Sequence, residues 1–389
     1  MIAIAKTLWE VTPKPVQDVV AVAVDRLQGV EVPEPPTTDR TPVRLFIAPA
    51  NYAGQGYSWA RAVESNPKIS ARNMVYTEMN PFGYDADYPV RWRTVTHSHR
   101  WQKAQLRALT NEFTHVLIEA EFPPLGGLFA QDVRRQVKAL QNGGTSVAMV
   151  CHGSDIRLPS RHRALEAWSP FRDDNWVNVR EVEEMAADHR RLLDDLALPT
   201  FVSTPGLLLD VPFAHLLPVV IEVERWASAS PALNRSRPRV LHVPSNSLVK
   251  GTAEIEPILH HLHNEGLIEY FRAEKLSHES MPAAYAQYDI VLDQFRLGDY
   301  GVGACEAMAA GRLVVSHVSD QARGVVAKNA GRRLPILEAD IDSLEHVLRD
   351  VIADRQRGRA LAEEGPEFVK RFHNGVMARA VLEQNFLQP

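Results

Sequence analysis

Cysteine is scarce in this chain: Cys151 and Cys305 are the only two among 389 residues, and they lie far apart. A disulfide framework is therefore excluded as the basis of the fold, and a reducing cytoplasm is the expected compartment. Long apolar runs are missing as well. None approaches the ~20 residues that cross a bilayer. The opening "MIAIAKTLWE" lacks both the apolar core and the small-residue cleavage site of a secretory leader. An excess of base is absent too. Lys and Arg total 43 against 48 Asp and Glu, for a net charge of −5, which argues against nucleic acid as a partner. No repeat at a period of ~20–50 residues and no low-complexity tract stands out, which excludes a solenoid.

What is present is regular punctuation. The length favours two domains. "KPVQDVVAVAVDRL" (14–27) reads as an amphipathic helix, either touching a membrane surface from outside or packed on the first domain. "EVPEPPTTDRTP" (31–42), with Pro33, Pro35, Pro36 and Pro42, reads as a linker. Strand-like runs then alternate with helical patterns: "VRLFIAP" (43–49), "ARNMVYTE" (71–78), "THVLIEAEF" (114–122) and "TSVAMVCHG" (145–153). A looser middle holds a charged helix at 180–196 and a strand and turn at 199–212. The polar "ALNRSRPR" (232–239) reads as the crossing to a second domain. Beyond it, strands are expected at 240–245, 267–273, 289–295 and 312–318, with helices at 251–266, 302–310, 341–353, 355–373 and 376–387. Strands separated by helices of this length predict parallel βαβ units, hence an α/β protein with two tandem sandwiches. In such folds ligands sit at the carboxyl ends of the strands, so the loops there matter most.

Three of those loops carry candidate residues. In "PANYAGQGYSW" (49–59), Gly54 and Gly56 let the backbone approach a ligand, with Tyr57 beside them; a plain tight turn is the other reading. In "HVPSNSLVKGTAEI" (242–255), Lys250 stands at a helix N-terminus, where the helix dipole disfavours a cation unless an anion lies between. It reads as a phosphate ligand or as a solvated lysine. In "LGDYGVGACEAMAAGRLVVS" (297–316), Glu306 lies about one turn into a helix opened by Gly301, Val302 and Gly303. Its two oxygens suit two adjacent hydroxyls, as in a ribose diol, or it is a carboxylate placed to suit the dipole.

Other polar clusters have two readings as well. The segment 81–101, with Trp92 among its aromatics and arginines, suits an acceptor sugar or ordinary loop packing. "HGSDIRLPSR" (152–161) offers Asp155 and Arg157 to an acceptor or to each other as a salt bridge. "HHLH" (260–263) lacks the partners of a metal site, and "DADY" (85–88) is not a convincing metal pair, so no metal is expected.

"YGVGACEAMAAGRLVVS" (300–316) resembles the C-terminal signature of retaining glycosyltransferases of the GT-B fold, family 4 type, in which a glutamate follows a glycine loop in an "EAMAxGxPVV" phrase. "VKGT" (249–252) resembles the diphosphate loop of the same family. The resemblance covers roughly 43–389, and "HGSDIR" (152–157) falls in the matching order. It implies two Rossmann-like domains facing each other across a cleft: one over 43–232 completed by 376–389, the other over 233–375, after an N-terminal helix and linker at 1–42. It further implies that Glu306 holds the nucleotide ribose, that Lys250 neutralises the donor diphosphate, that Gly54 and Gly56 border the donor and that His152 lies near the donor sugar. The family has a first glutamate where this chain has Gly298, followed by Asp299 and Tyr300. It has an arginine near the place of Ser245 and Asn246, which offer only neutral hydrogen bonds, and Arg296, or Asp293 with Gln294, are the candidates to supply what these two departures remove.

The expected function is thus transfer of a hexose from a UDP- or GDP-linked donor to a saccharide, a lipid-linked acceptor or a small molecule, with retention and without metal or resident cofactor. The setting is cytoplasmic, with peripheral membrane contact left open. A non-catalytic GT-B partner subunit and a nucleotide-sugar epimerase are the alternatives.

Overall fold

The computed structural model describes residues 12–29, 31–173, 177–228, 230–273 and 276–388. The opening stretch 1–10, considered as a leader, lies outside them. The described residues form an α/β protein whose paired strands all run parallel. They fall into two compact units: Met1–Val150 with Leu196–Pro199 and Phe386–Pro389, and Cys151–Asp195 with Thr200–Asn385.

The first unit is built on β1 (Val43–Ala48), β2 (Ile69–Tyr76), β3 (Tyr88–Val90), β4 (His115–Glu119) and β5 (Ser146–Cys151), in the order β3-β2-β1-β4-β5. β1 and β4 are buried almost throughout because both faces of a parallel sheet are covered. Helices Gln55–Val63, His99–Asn111 and Val133–Asn142 connect the strands. Ser98 and Asp132 cap the last two by accepting from Trp101 N and Arg135 N. Helix Lys14–Leu27 forms where its pattern predicts, and packs on helix Trp92–His97. Its buried residues, however, are Asp18, Ala21 and Asp25.

In the second unit, β6 (Thr200–Val202) and β7 (His215–Leu216) form a parallel pair. A second sheet contains β8 (Arg239–His242), β9 (Glu269–Arg272), β10 (Ile290–Leu292), β11 (Leu313–Ser316) and β12 (Leu337–Glu338), ordered β12-β11-β10-β8-β9. Its core joins Val240, Ile290, Leu292 and Leu313 to Ile255, Leu259, Leu344 and Leu348 from the flanking helices. The strands are shorter than their apolar runs. The helix expected over 251–266 forms as Thr252–Asn264, and one further turn, Ser247–Lys250, precedes it, with Gly251 left-handed at φ +76° between the two.

The division differs from the one that the resemblance implies, because residues 151–195, 200–232 and 376–385 cluster with the later chain. Long-range bonds hold residues 151–195 there. Arg157 pairs with Asp299 at 3.4 Å, Glu166 with His317 at 2.8 Å, and Trp168 Nε1 donates to Asp342 at 3.0 Å. Cys151 and Cys305 are buried and form no disulfide. Among the described residues, no helix is long and apolar enough to cross a membrane.

Candidate functional site

In each sheet the strand order reverses once. β1 is flanked by β2 and β4, and β8 by β9 and β10. Such a switch point opens a crevice beyond the carboxyl ends of the two strands. Candidate residues stand at both.

At the switch point of the first unit, the last residue of β4, Glu119, is fully buried. Its Oε2 accepts from Ala50 N and Asn51 N, both at 2.9 Å. These bonds hold the glycine loop against the sheet, and Asn51 Oδ1 then accepts from Tyr57 N. Gly54 has φ +72°, and a Cβ there would stand 3.0 Å from the Tyr84 ring; one on Gly56 would stand 3.1 Å from Glu119 Oε1. Both glycines thus have a packing reason within their own unit. The Tyr57 ring lies under the Arg61 guanidinium, and Trp92 meets Tyr76 edge-on at 5.2 Å. Asp87 of "DADY" accepts from Arg61 and from Asn73 N.

The second switch point brings together residues distant in sequence. Lys250 ends the helical turn that follows β8, and Asp293 directly follows β10. Lys250 Nζ donates to Asp293 Oδ1. The helix dipole predicts an anion beside this lysine, and the protein itself provides one. Asp293 is buried, and its Oδ2 has no hydrogen-bond partner among the described residues. Asn246 caps the turn by accepting from Leu248 N and Val249 N, while Ser245 is exposed before it. His242 anchors the start of the next helix: Nδ1–H donates to Leu292 O at 3.1 Å, and Nε2 accepts from Thr252 Oγ1 at 2.9 Å. Burial keeps this imidazole neutral, lowering its pKa to about 4.

Helix Val302–Ala309 begins beside these residues. A Cβ on Gly301 would meet nothing within 4 Å, whereas one on Gly303 would touch Asp293 Oδ1 at 3.8 Å. Glu306 is buried on this helix and accepts from His278 Nε2 at 3.1 Å. Burial raises its pKa, and His278, Arg225 and Lys250 pull against that rise. The same burial, with Asp293 and Glu306 nearby, pushes the Cys305 thiol up. His278 packs against Trp226 at 5.7 Å between ring centroids, and its carbonyl accepts from Arg225 Nη2 at 3.2 Å. Lys250, Asp293 and Glu306 are therefore neighbours in charge, joined by His278, Arg225 and Trp226. Sequence reasoning missed these last three and His242, since none stands in a glycine loop or at a spacing that marks it.

Other candidates are engaged elsewhere. Arg296 donates to Trp168 O, Ser169 O and Leu248 O and pairs with Glu254 at 3.3 Å. Asp299 accepts from Gly206 N at 3.0 Å and Tyr300 N at 3.0 Å and pairs with Arg157. Tyr300 Oη lies 3.3 Å from His373 Nε2. Asp155 accepts from His152 N and Gly153 N, tightening the turn after β5, so Asp155 and Arg157 serve different partners. Gly298 has φ +63°, and a Cβ there would stand 2.3 Å from Glu166 Oε1. Glycine suits the place of the family's first glutamate, because the backbone there is left-handed and the Glu166 carboxylate stands against it. In "HHLH", His263 Nδ1 accepts from Tyr270 N and His261 pairs with Glu265.

No known family model matches the chain, and no curated protein matches it. Solved structures do. A sucrose-phosphate synthase from Thermosynechococcus elongatus aligns with TM-score 0.56 and 15% identity over 89% of this chain and 98% of its own. A glycosyltransferase from Rickettsia africae aligns with TM-score 0.55 and 10% identity, again over 89% and 98%. Anabaena HepE, solved in complex with UDP-glucose, aligns with TM-score 0.53 and 12% identity over 88% and 98%. At these identities the likeness is one of architecture, and the fold of this chain is the two-sheet α/β fold of GT-B glycosyltransferases.

Proposed function

We propose that this chain is a glycosyltransferase that binds a nucleoside-diphosphate hexose in its second unit. The observation that carries the reading is the convergence of Lys250 and Glu306 at the β8/β10 switch point, beside the open Gly301 backbone. Glu306 Oε1 accepts from His278, and in this reading Oε2 takes up the ribose diol. Lys250 meets the diphosphate, exchanging its contact with Asp293 for phosphate oxygens. The N–H groups at the start of helix Val302–Ala309 add positive potential there.

In the transfer the anomeric C–O bond breaks and its electron pair leaves on the nucleoside diphosphate. An acceptor hydroxyl oxygen bonds to the anomeric carbon, and its proton passes to the leaving phosphate. Charge that builds on the diphosphate is met by Lys250 and the helix N-terminus, groups fixed before the reaction. This reading takes the reaction as retaining and metal-independent. Asp293 Oδ2, buried without a partner among the described residues, is the acceptor for a hydroxyl of the transferred sugar.

The test is a thermal-shift screen with UDP, GDP, ADP and their sugar conjugates, repeated on Glu306→Ala. A ligand that binds only the folded state raises the midpoint by mass action. One diphosphate should stabilise the wild type and lose its effect on the variant. No shift with any of them would overturn the reading.

A second reading, a GT-B homologue that binds a nucleotide without turnover, is favoured by two observations. Lys250 is already neutralised by Asp293, and the first-glutamate position is closed by Gly298 and Glu166. Tight nucleotide binding with no transfer or hydrolysis of the matching sugar conjugate would establish it.

A further inference from the structure

Helix Lys14–Leu27 is amphipathic in the opposite sense to an ordinary surface helix. A surface helix turns its apolar stripe to the core and its charges to water. Here the inward residues are Asp18, Ala21 and Asp25. Asp18 is held by Lys14, by His97 Nδ1 at 2.8 Å and by His99 Nε2 at 3.0 Å; Asp25 is held by Arg93 at 3.3 Å. The outward residues are Val16, Val19, Val20 and Leu27, with Val19 70% and Leu27 87% exposed. Ala23 is exposed on the same side. Polar bonds thus lock the helix to its unit in the orientation that shows its apolar stripe to solvent.

The charges that the helix itself leaves outside, Lys14 and Arg26, have one sign. Both acids of the helix are consumed inward, while Lys14 and Arg26 stand at its two ends and Arg93 and His99 beside it keep much of their surface. This local cationic rim contrasts with the net charge of −5 of the whole chain. An apolar ridge flanked by bases suits an anionic lipid surface, where the side chains enter the acyl boundary and the cations meet headgroup phosphates. A second copy of the chain fits less well. A helix of this length offers a face of roughly 21 Å by 10 Å. Two such faces bury roughly 400 Å² in all, well under the ~1,200 Å² of a stable interface.

We infer that helix Lys14–Leu27 docks this protein on anionic membranes, lying in the plane of the interface with Val16, Val19, Val20, Ala23 and Leu27 turned into the lipid. This docking is independent of the proposed transfer and would hold for a nucleotide-binding homologue without turnover.

The experiment is flotation of the full chain with vesicles of phosphatidylcholine, and with vesicles of phosphatidylcholine and phosphatidylglycerol in equal parts. The wild type should float with the anionic vesicles and more weakly with the neutral ones. Val19→Asp with Leu27→Asp should lower the bound fraction at least about tenfold, since two apolar side chains no longer enter lipid. Circular dichroism checks that the variant is folded, and Val16→Gln with Val19→Gln serves as a milder second pair. A wild type that fails to float with anionic vesicles would overturn the inference, as would equal flotation of wild type and both variants. Sedimentation velocity adds a third arm. A wild-type dimer that the aspartate pair converts to monomer would mean that a second copy covers the ridge, and would overturn it too.

Discussion

His278 Nε2 lies 3.1 Å from Glu306 Oε1, a contact between a loop residue and a buried helical carboxylate. Burial raises the Glu306 pKa, and His278, Arg225 and Lys250 oppose the rise. A ribose diol donates to the ionised carboxylate, so nucleotide affinity should fall as acid protonates Glu306. His278→Ala removes the largest opposing contact, its hydrogen bond to the carboxylate, and should move that fall to higher pH. Titrating UDP or GDP into wild type and variant by calorimetry across the acidic range checks this. Identical pH profiles would show that His278 does not act through Glu306.

Lys250 and Asp293 neutralise each other at the resting site. Lys250→Ala should weaken binding of a nucleoside diphosphate by about tenfold or more, the loss of one or two charge-assisted hydrogen bonds. Asp293→Asn should act in the other direction on the bare diphosphate, because it removes the competing anion. On the sugar conjugate, Asp293→Asn should slow turnover. Weaker binding of the bare diphosphate by Asp293→Asn would place the carboxylate in direct contact with the nucleotide.

Asp289 is fully buried and accepts from Leu233 N at 2.8 Å, Arg239 N at 2.9 Å and Arg235 Nη1 at 3.1 Å. It ties the crossing segment to the second sheet. Asp289→Ala strands two backbone donors and should cost about 3 kcal/mol of stability. Urea unfolding measures the difference; a loss under about 1 kcal/mol would mean that the segment finds other partners.

Histidines shape the stability profile from both sides. Burial lowers the pKa of His317, but hydrogen bonds and charges from Glu166 and Glu338 outweigh it and raise the value to about 10. The folded value lies above the unfolded one near 6.5, so this contribution is complete below about pH 6.5 and is lost as pH rises toward 10. His242 and His373 behave oppositely: burial lowers each to about 4. Their contribution is complete above about pH 6.5 and is lost as pH falls toward 4. Stability should therefore peak near neutrality. His317→Gln should flatten the alkaline side and also weaken the acid side, because Glu166 and Glu338 owe part of their lowered pKa to His317, as thermal melts across pH will reveal.

The alternation of apolar runs and helical patterns was enough to read parallel α/β order, because both faces of the inner strands are buried and local pattern reports that burial. That Lys250 and Glu306 lie beyond strand ends was legible because glycine loops mark those ends. Arg296, Asp299 and Tyr300 lie in the same loop, yet their partners, Trp168, Arg157 and His373, come from segments far away in the chain. Nothing local announces such pairings. Gly298 is a sharper case: its sequence position suggests a lost glutamate, while the Glu166 carboxylate already fills the space beside it.

By itself, the sequence determined the α/β class, most of the helices and the strand-end loops that bear Lys250 and Glu306, since propensity, periodicity and glycine turns act over a few residues. Tertiary structure alone decided that Asp293 neutralises Lys250, that His278 holds Glu306 and that helix Lys14–Leu27 turns its acids inward. The physical reason is shared. A charged side chain settles where an opposite charge compensates the loss of water, and that partner is chosen by the packing of the whole unit rather than by its neighbours in the chain.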